Sequence, residues 1–204
     1  MNTQHTPLTI CGRTFEQYAG MVEAFHGHLA PGMVLGGLMV DLAYRHRPQA
    51  DLLDAICETR HCLPDAVQLL TPCTVGNGWL RVVDLGRFAL SLYAKRSGSG
   101  VRVSVDASRL AAWPEIEAFL FKLKAKADQD TPVLIAEIIG ARSSILALQE
   151  VAVDLDRVRP GRRRAFAVCP ECGEGHPADD GEVCRGCRGD APYLRCASMD
   201  EAKG

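Results

Sequence analysis

The chain predicts an α+β fold, with helices packed on a mixed or antiparallel sheet and a small C-terminal zinc ribbon. Three observations carry this reading. Helical spacing dominates the N-terminal third, short β-branched and aromatic segments cluster between residues 79 and 105, and two CxxC pairs stand near the end. Helices mixed with meander-like strands in this way argue against a doubly wound sheet.

The first helix is marked by Thr14 and Gln17, a capping-box pair, followed by Tyr18, Met21, Val22 and Phe25 at helical spacing. It should run from Phe15 to Phe25 and stop at Gly27. Pro31 restarts a helix at the first-turn position, continuing to about Tyr44. Gly32, Gly36 and Gly37 lower its helix propensity, so close approach by neighbouring elements is expected. A strand over Leu53–Glu58 leads to Pro64, which opens a short helix with Asp65 in its first turn. CTVGNGW reads as a loop. WLRVVDL, FALSLYAK and VRVSVD then predict three strands in an antiparallel meander. Pro114 opens another helix with Ile116, Phe119, Leu120 and Leu123 on one stripe and Lys122, Lys124 and Lys126 on its wet face. A further helix starts at Thr131 and Pro132, and ILALQEVAVDL closes the sheet. The segment DRVRPGRRR marks the boundary between a main domain, residues 1–160, and a ribbon, residues 165–196.

Composition bounds the function classes. At 204 residues, 47% hydrophobic and 24% charged, the sequence is of ordinary globular type. A net charge of -2 gives no global reason to expect nucleic acid or an anionic membrane. MNTQHTPLTI does not read as a secretory signal, and the apolar run from Met33 to Leu42 is too short to span a bilayer. A cytoplasmic setting is therefore expected, in which the nine cysteines are core thiols, metal ligands or reactive groups. Cys11, Cys57 and Cys196 are treated as structural.

Cys169, Cys172, Cys184 and Cys187 form two knuckles, CPEC and CRGC, whose thiolates converge on one ion. Four sulfur ligands suit zinc, although iron fits the same donor set. A unit of about 30 residues has too little core to fold alone, so metal supplies much of its folding energy. Because the site is closed, it argues for structure or contact and not for chemistry. His176 is a bystander able to hydrogen-bond a sulfur. Arg157, Arg159, Arg162, Arg163 and Arg164 raise a nucleic-acid adaptor as one alternative, which Asp179, Asp180 and Glu182 oppose.

In the main domain, His26 and His28 are either two ligands to one ion or parts of a hydrogen-bonded structural turn. Cys62 sits just before a helix start, which favours a thiolate ligand or a nucleophile. Cys73 can approach the same place, and Asp65 can orient a histidine or act as a base. A second transition metal, zinc, then becomes possible beside the ribbon zinc.

FHGHLAPG, CLPDAVQLLTPCTVGNG, WLRVVDLGRFALSLY and the terminal CPECGE together resemble the E-subunit family of formylmethanofuran dehydrogenase, from Phe15 to Cys187. The resemblance implies a fold akin to the C-terminal domain of glyceraldehyde-3-phosphate dehydrogenase, a homodimer, and an appended zinc ribbon. It implies a metal pocket on His26, His28 and Cys62 and places the glycines of the family's CTxGxG loop at Gly76 and Gly78; together with Asp65, Cys73 and Asn77 these make the expected cofactor-binding set. It also implies a link to molybdenum- or tungsten-dependent one-carbon or redox metabolism, through an oxidoreductase partner or a small anionic or pterin-like ligand. One departure stands out: Ala30 occupies the cysteine position of the family motif HGHxCPG. Either the ligand set is contracted, or Cys73 substitutes, or this branch has lost the metal chemistry.

Overall fold

The computed structural model describes residues 7–158 and 164–193. The chain divides into two compact units, Met1–Val158 and Arg159–Gly204. Cys196 and three of the boundary arginines, Arg159, Arg162 and Arg163, lie outside the described residues.

The first unit begins with a minimal hairpin, β1 (Thr9–Ile10) and β2 (Arg13–Thr14), which runs straight into α1 (Phe15–His26). Both arms of the capping box form. Gln17 N–H donates to Thr14 Oγ1 at 3.3 Å, and Thr14 N–H donates to Gln17 Oε1 at 3.0 Å. Gly27 ends the helix in the left-handed conformation, φ 87°.

Helix α2 (Pro31–His46) is the buried centre of this unit, sheathed by its neighbours. The glycines explain how the neighbours come so close. A Cβ on Gly36 would lie 2.8 Å from the Ala66 methyl, and one on Gly37 would lie 2.6 Å from the Tyr18 ring. Ala66 belongs to α3 (Leu63–Leu70) and Tyr18 to α1, so small residues on α2 set both packing distances. Tyr18 is fully buried and its hydroxyl donates to the Met33 carbonyl at 2.6 Å, which satisfies the phenol without solvent.

The sheet contains β3 (Leu53–Cys57), β4 (Leu80–Val82), β5 (Ala89–Ala94), β6 (Ser99–Val105) and β7 (Leu146–Ala152), in the order β4-β3-β5-β6-β7. It is mixed. The expected meander holds for β5 and β6, and β7 extends it, but β4 does not join it. Instead β4 pairs in parallel with β3, with Ala55 opposite Leu80. Parallel partners need a crossover, and α3 supplies one. The strand ends at Val82, yet the Val83 and Leu85 amides still donate to the Cys57 and Glu58 carbonyls at 2.9 and 3.0 Å, with both side chains exposed.

The helix α4 (Pro114–Leu120) is shorter than its apolar spacing suggested. Ile116 is buried and Phe119 and Leu120 pack on the core, but Lys122 turns to φ 54° and Leu123 is 68% exposed. The three lysines are exposed as expected, with Lys124 paired to Glu115 at 2.6 Å. Then α5 (Thr131–Ala141), capped by Asp130, precedes β7, and α6 (Leu155–Val158) ends the unit. No helix among the described residues is long and apolar enough to cross a membrane. In the second unit, β8 (Phe166–Val168) and β9 (Gly175–Pro177) form an antiparallel hairpin.

Candidate metal centres

The C-terminal centre is assembled by backbone geometry around sulfur. Cys169 and Cys172 occupy the turn between β8 and β9, where Gly173 adopts φ 75° and donates its N–H to the Cys169 carbonyl at 2.9 Å. The second pair borders a helical turn, Gly186–Asp190, with Cys187 inside it. Cys184 N–H donates to Cys169 Sγ at 3.4 Å, and Cys187 N–H donates to Cys184 Sγ at 3.4 Å. The backbone amides of Cys184 and Cys172 hold the Cys169 thiol well below its ordinary value, which favours the thiolate form a metal needs.

The donor spacing fits zinc. Tetrahedral bonds of about 2.3 Å place sulfurs about 3.8 Å apart. Here the Cys169–Cys187 and Cys172–Cys184 sulfur separations are 3.9 and 3.8 Å, and all four donors lie within 4.8 Å of one another. His176 is buried, and neither ring nitrogen has a hydrogen-bond partner, so the sulfur contact open to it is not made. Arg164 is tied to the acidic pair: its Nε meets Asp179 at 2.7 Å and its Nη2 meets Asp180 at 2.5 Å. Arg157 pairs with Asp154 at 3.3 Å.

In the first unit, α1 and α3 bring His26 and Asp65 together. His26 is the last residue of α1, and its Nδ1 lies 2.8 Å from Asp65 Oδ2 in the first turn of α3. The His28 ring centre is 5.3 Å from that of His26. Cys62, the residue before α3, adopts φ 48°, in the left-handed region that non-glycine residues seldom occupy. Its side chain fills the space that Gly32 leaves open: a Cβ there would lie 2.8 Å from Cys62 Sγ. The first turn of α2 and the start of α3 thus meet at the thiol. Ala30, just before α2, is buried, and its carbonyl accepts the Met33 and Val34 amides.

Cys62 and Cys73 lie in different surroundings. Burial pushes the Cys62 thiol up, and Asp65 adds to the shift while Lys126 opposes it, so the helix start does not by itself yield a thiolate. Cys73 faces the core, 1% exposed, with its Sγ 3.4 Å from the Leu53 carbonyl, and is not gathered with the histidines. Among the described residues, the four C-terminal cysteines form the only group of three or more ligating side chains with all donors within 4.8 Å. His26, His28 and Cys62 offer suitable donor chemistry without being drawn together to that spacing.

The CTVGNG loop is rigidified from within. Asn77 Oδ1 accepts the Thr74 and Trp79 amides at 3.1 and 2.9 Å, its amide donates to the Pro72 carbonyl at 2.8 Å, and Thr74 Oγ1 accepts Asn77 N–H at 3.1 Å. Gly78 adopts φ 75°, while a side chain on Gly76 would enter open space. Gln68, which the motifs do not mark, accepts Val75 N–H at 3.2 Å and approaches Asp65 Oδ1 at 3.5 Å. Its spacing of three residues from Asp65 on one helix was the available signal.

Comparison with known proteins decides the family. A family model described as FmdE, molybdenum formylmethanofuran dehydrogenase operon, matches residues 25–153. The chain belongs to this FmdE family. A second model, the FmdE treble clef zinc finger, matches residues 160–194, in keeping with a cysteine knuckle in a hairpin followed by a cysteine-bearing helical turn. A solved structure described as a tungsten formylmethanofuran dehydrogenase E-subunit (FmdE)-like protein from Syntrophus aciditrophicus is similar. It shares 46% identity at a TM-score of 0.84, covering 93% of this FmdE chain and 100% of that one. A protein of Archaeoglobus fulgidus named probable S-adenosyl-L-methionine-binding protein is 30% identical over 169 residues. The match covers 74% of this chain and 46% of that protein, so the chain spans under half of that relative's length.

Proposed function

We propose that the main domain binds a second transition metal, zinc, through His26, His28 and Cys62. We propose further that the protein is accessory to molybdenum- or tungsten-dependent one-carbon or redox metabolism. The observation that carries the metal reading is the 2.8 Å contact between His26 Nδ1 and Asp65. A carboxylate on one imidazole nitrogen fixes the ring and leaves Nε2 free as a ligand. Binding requires side-chain rotation, since the three donors are not at ligand spacing in this structure. Of the three readings of Ala30, substitution by Cys73 loses support because that thiol faces Leu53. A contracted set of three protein ligands leaves a coordination position open.

The metabolic assignment is supported by the family's link to the molybdenum formylmethanofuran dehydrogenase operon and by the tungsten-associated Syntrophus relative. The partners we propose are a second copy of the chain in a cytoplasmic homodimer, an oxidoreductase, and a small anionic ligand. The anionic ligand is supported by the meeting of the α2 and α3 starts at Gly32 and Cys62. An enzyme acting on such a ligand is the second reading, favoured by the open position. The nucleic-acid adaptor loses support from Arg157 and Arg164, both ion-paired. The kinship to the C-terminal domain of glyceraldehyde-3-phosphate dehydrogenase is likewise proposed, supported by the mixed sheet and its helices.

X-ray absorption at the zinc edge tests the pocket. Zinc-loaded protein should show nitrogen as well as sulfur around the metal, with the nitrogen lost in a His26→Ala, His28→Ala double variant. A spectrum of sulfur alone in the unsubstituted protein would sink the proposal.

A further inference from the structure

We propose that Gln68 is a positioning residue that fixes the His26 tautomer and couples it to the loop between Cys73 and Trp79. Hydrogen-bond polarity sets the orientation of each group. A backbone N–H can only donate, so the end of Gln68 that faces Val75 N–H at 3.2 Å is the carbonyl Oε1. The other end is therefore the amide nitrogen, and it donates toward Asp65 Oδ1 at 3.5 Å. An ionised carboxylate only accepts, so the His26 nitrogen 2.8 Å from Asp65 Oδ2 carries the proton. In the neutral ring that leaves Nε2 bare.

Direction thus passes from one loop amide, through Gln68 and Asp65, to the nitrogen that faces away from the carboxylate. Three elements take part: α1 supplies His26, α3 supplies Asp65 and Gln68 one turn apart, and the loop supplies Val75. Asn77 and Thr74 hold the loop so that the Val75 amide stays in place. A ligand that shifts this loop would release Gln68, free Asp65 to rotate, and loosen the tautomer that a metal requires. The purpose of the relay rests on the metal-pocket reading, but the relay itself does not need metal.

The test is nitrogen-15 NMR of the full chain with zinc limited to one ion per chain, held by the four C-terminal cysteines, at a pH where imidazole is neutral, with amide exchange measured at Val75. The unsubstituted protein should show His26 protonated at Nδ1. In Gln68→Leu both hydrogen bonds go: the tautomers should mix, and Val75 exchange should quicken by about tenfold or more as the local closed state weakens. Gln68→Glu keeps an acceptor for Val75 but cannot donate to Asp65, so Val75 should stay protected while the tautomers mix. Retention of the Nδ1–H tautomer in both variants would overturn the proposal. Tautomer mixing in a protein that never binds a pocket metal would uphold the relay and count against the metal reading alone.

Discussion

Gly32 shows how one missing methylene shapes the candidate site. A Cβ there would lie 2.8 Å from Cys62 Sγ and 2.9 Å from Cys62 Cβ, closer than real contacts permit. Gly32→Ala should destabilise the protein by about 1–3 kcal/mol, read by urea unfolding. Gly20 is the counter-case, inside α1 with open space around it, and Gly20→Ala should stabilise by about 0.5–1 kcal/mol. Glu58 carries a pH signature. Arg102 donates to it from Nε at 2.7 Å and Nη2 at 2.9 Å, and Arg87 adds a third contact at 2.7 Å; Arg102 leads in holding the carboxyl below its ordinary 4.5. A carboxyl lowered by folding stabilises fully above its unfolded value and loses that contribution as pH falls through the folded one. Glu58→Gln should therefore cost about 2 kcal/mol at pH 7 and flatten the acid limb of Tm against pH below about 4.5. At this scale, sequence conveys which groups are chemically capable and little about their environment. Asp65 stood out as a partner for histidine from its helix start, whereas the burial that raises the Cys62 thiol depends on Gly32, thirty positions away.

Local rules decide the helices, and non-local pairing decides the sheet. Thr14 and Gln17 state the start of α1 in four residues, and both bonds form. Thr14→Ala should cost about 1 kcal/mol of stability, measured by thermal or urea unfolding. The α2 glycines could be read as points of close approach, although their particular neighbours could not. WLRVVDL has strand character in either pairing, so its composition cannot say that β4 runs parallel beside β3 across the α3 crossover. The stripe ending at Leu123 fails for a related reason. Spacing records which residues could share a face, while the turn at Lys122, φ 54°, ends the helical path before Leu123 reaches it.

Across the whole molecule, the two metal questions differ in how far sequence carries them. The four C-terminal cysteines are legible because CxxC spacing is itself the geometry, and their sulfurs come within 4.8 Å. Cys169→Ser should abolish zinc binding by this unit and melt it, seen as loss of its amide NMR dispersion while that of residues 7–158 persists. The proposed main-domain pocket would draw on α1, the link after it and α3; of these, the contact between His26 of α1 and Asp65 of α3 is one that no spacing rule announces. Motif order led to the FmdE family, and the His26–Asp65 contact then emerged from the fold. Metal content of purified protein, compared with His28→Ala, tests the pocket most directly. A metal-binding pocket predicts about two zinc ions per chain, one held by four sulfurs and one in the pocket, falling to about one in the variant. About one ion per chain in both proteins would contradict it and leave the C-terminal centre as the sole metal site.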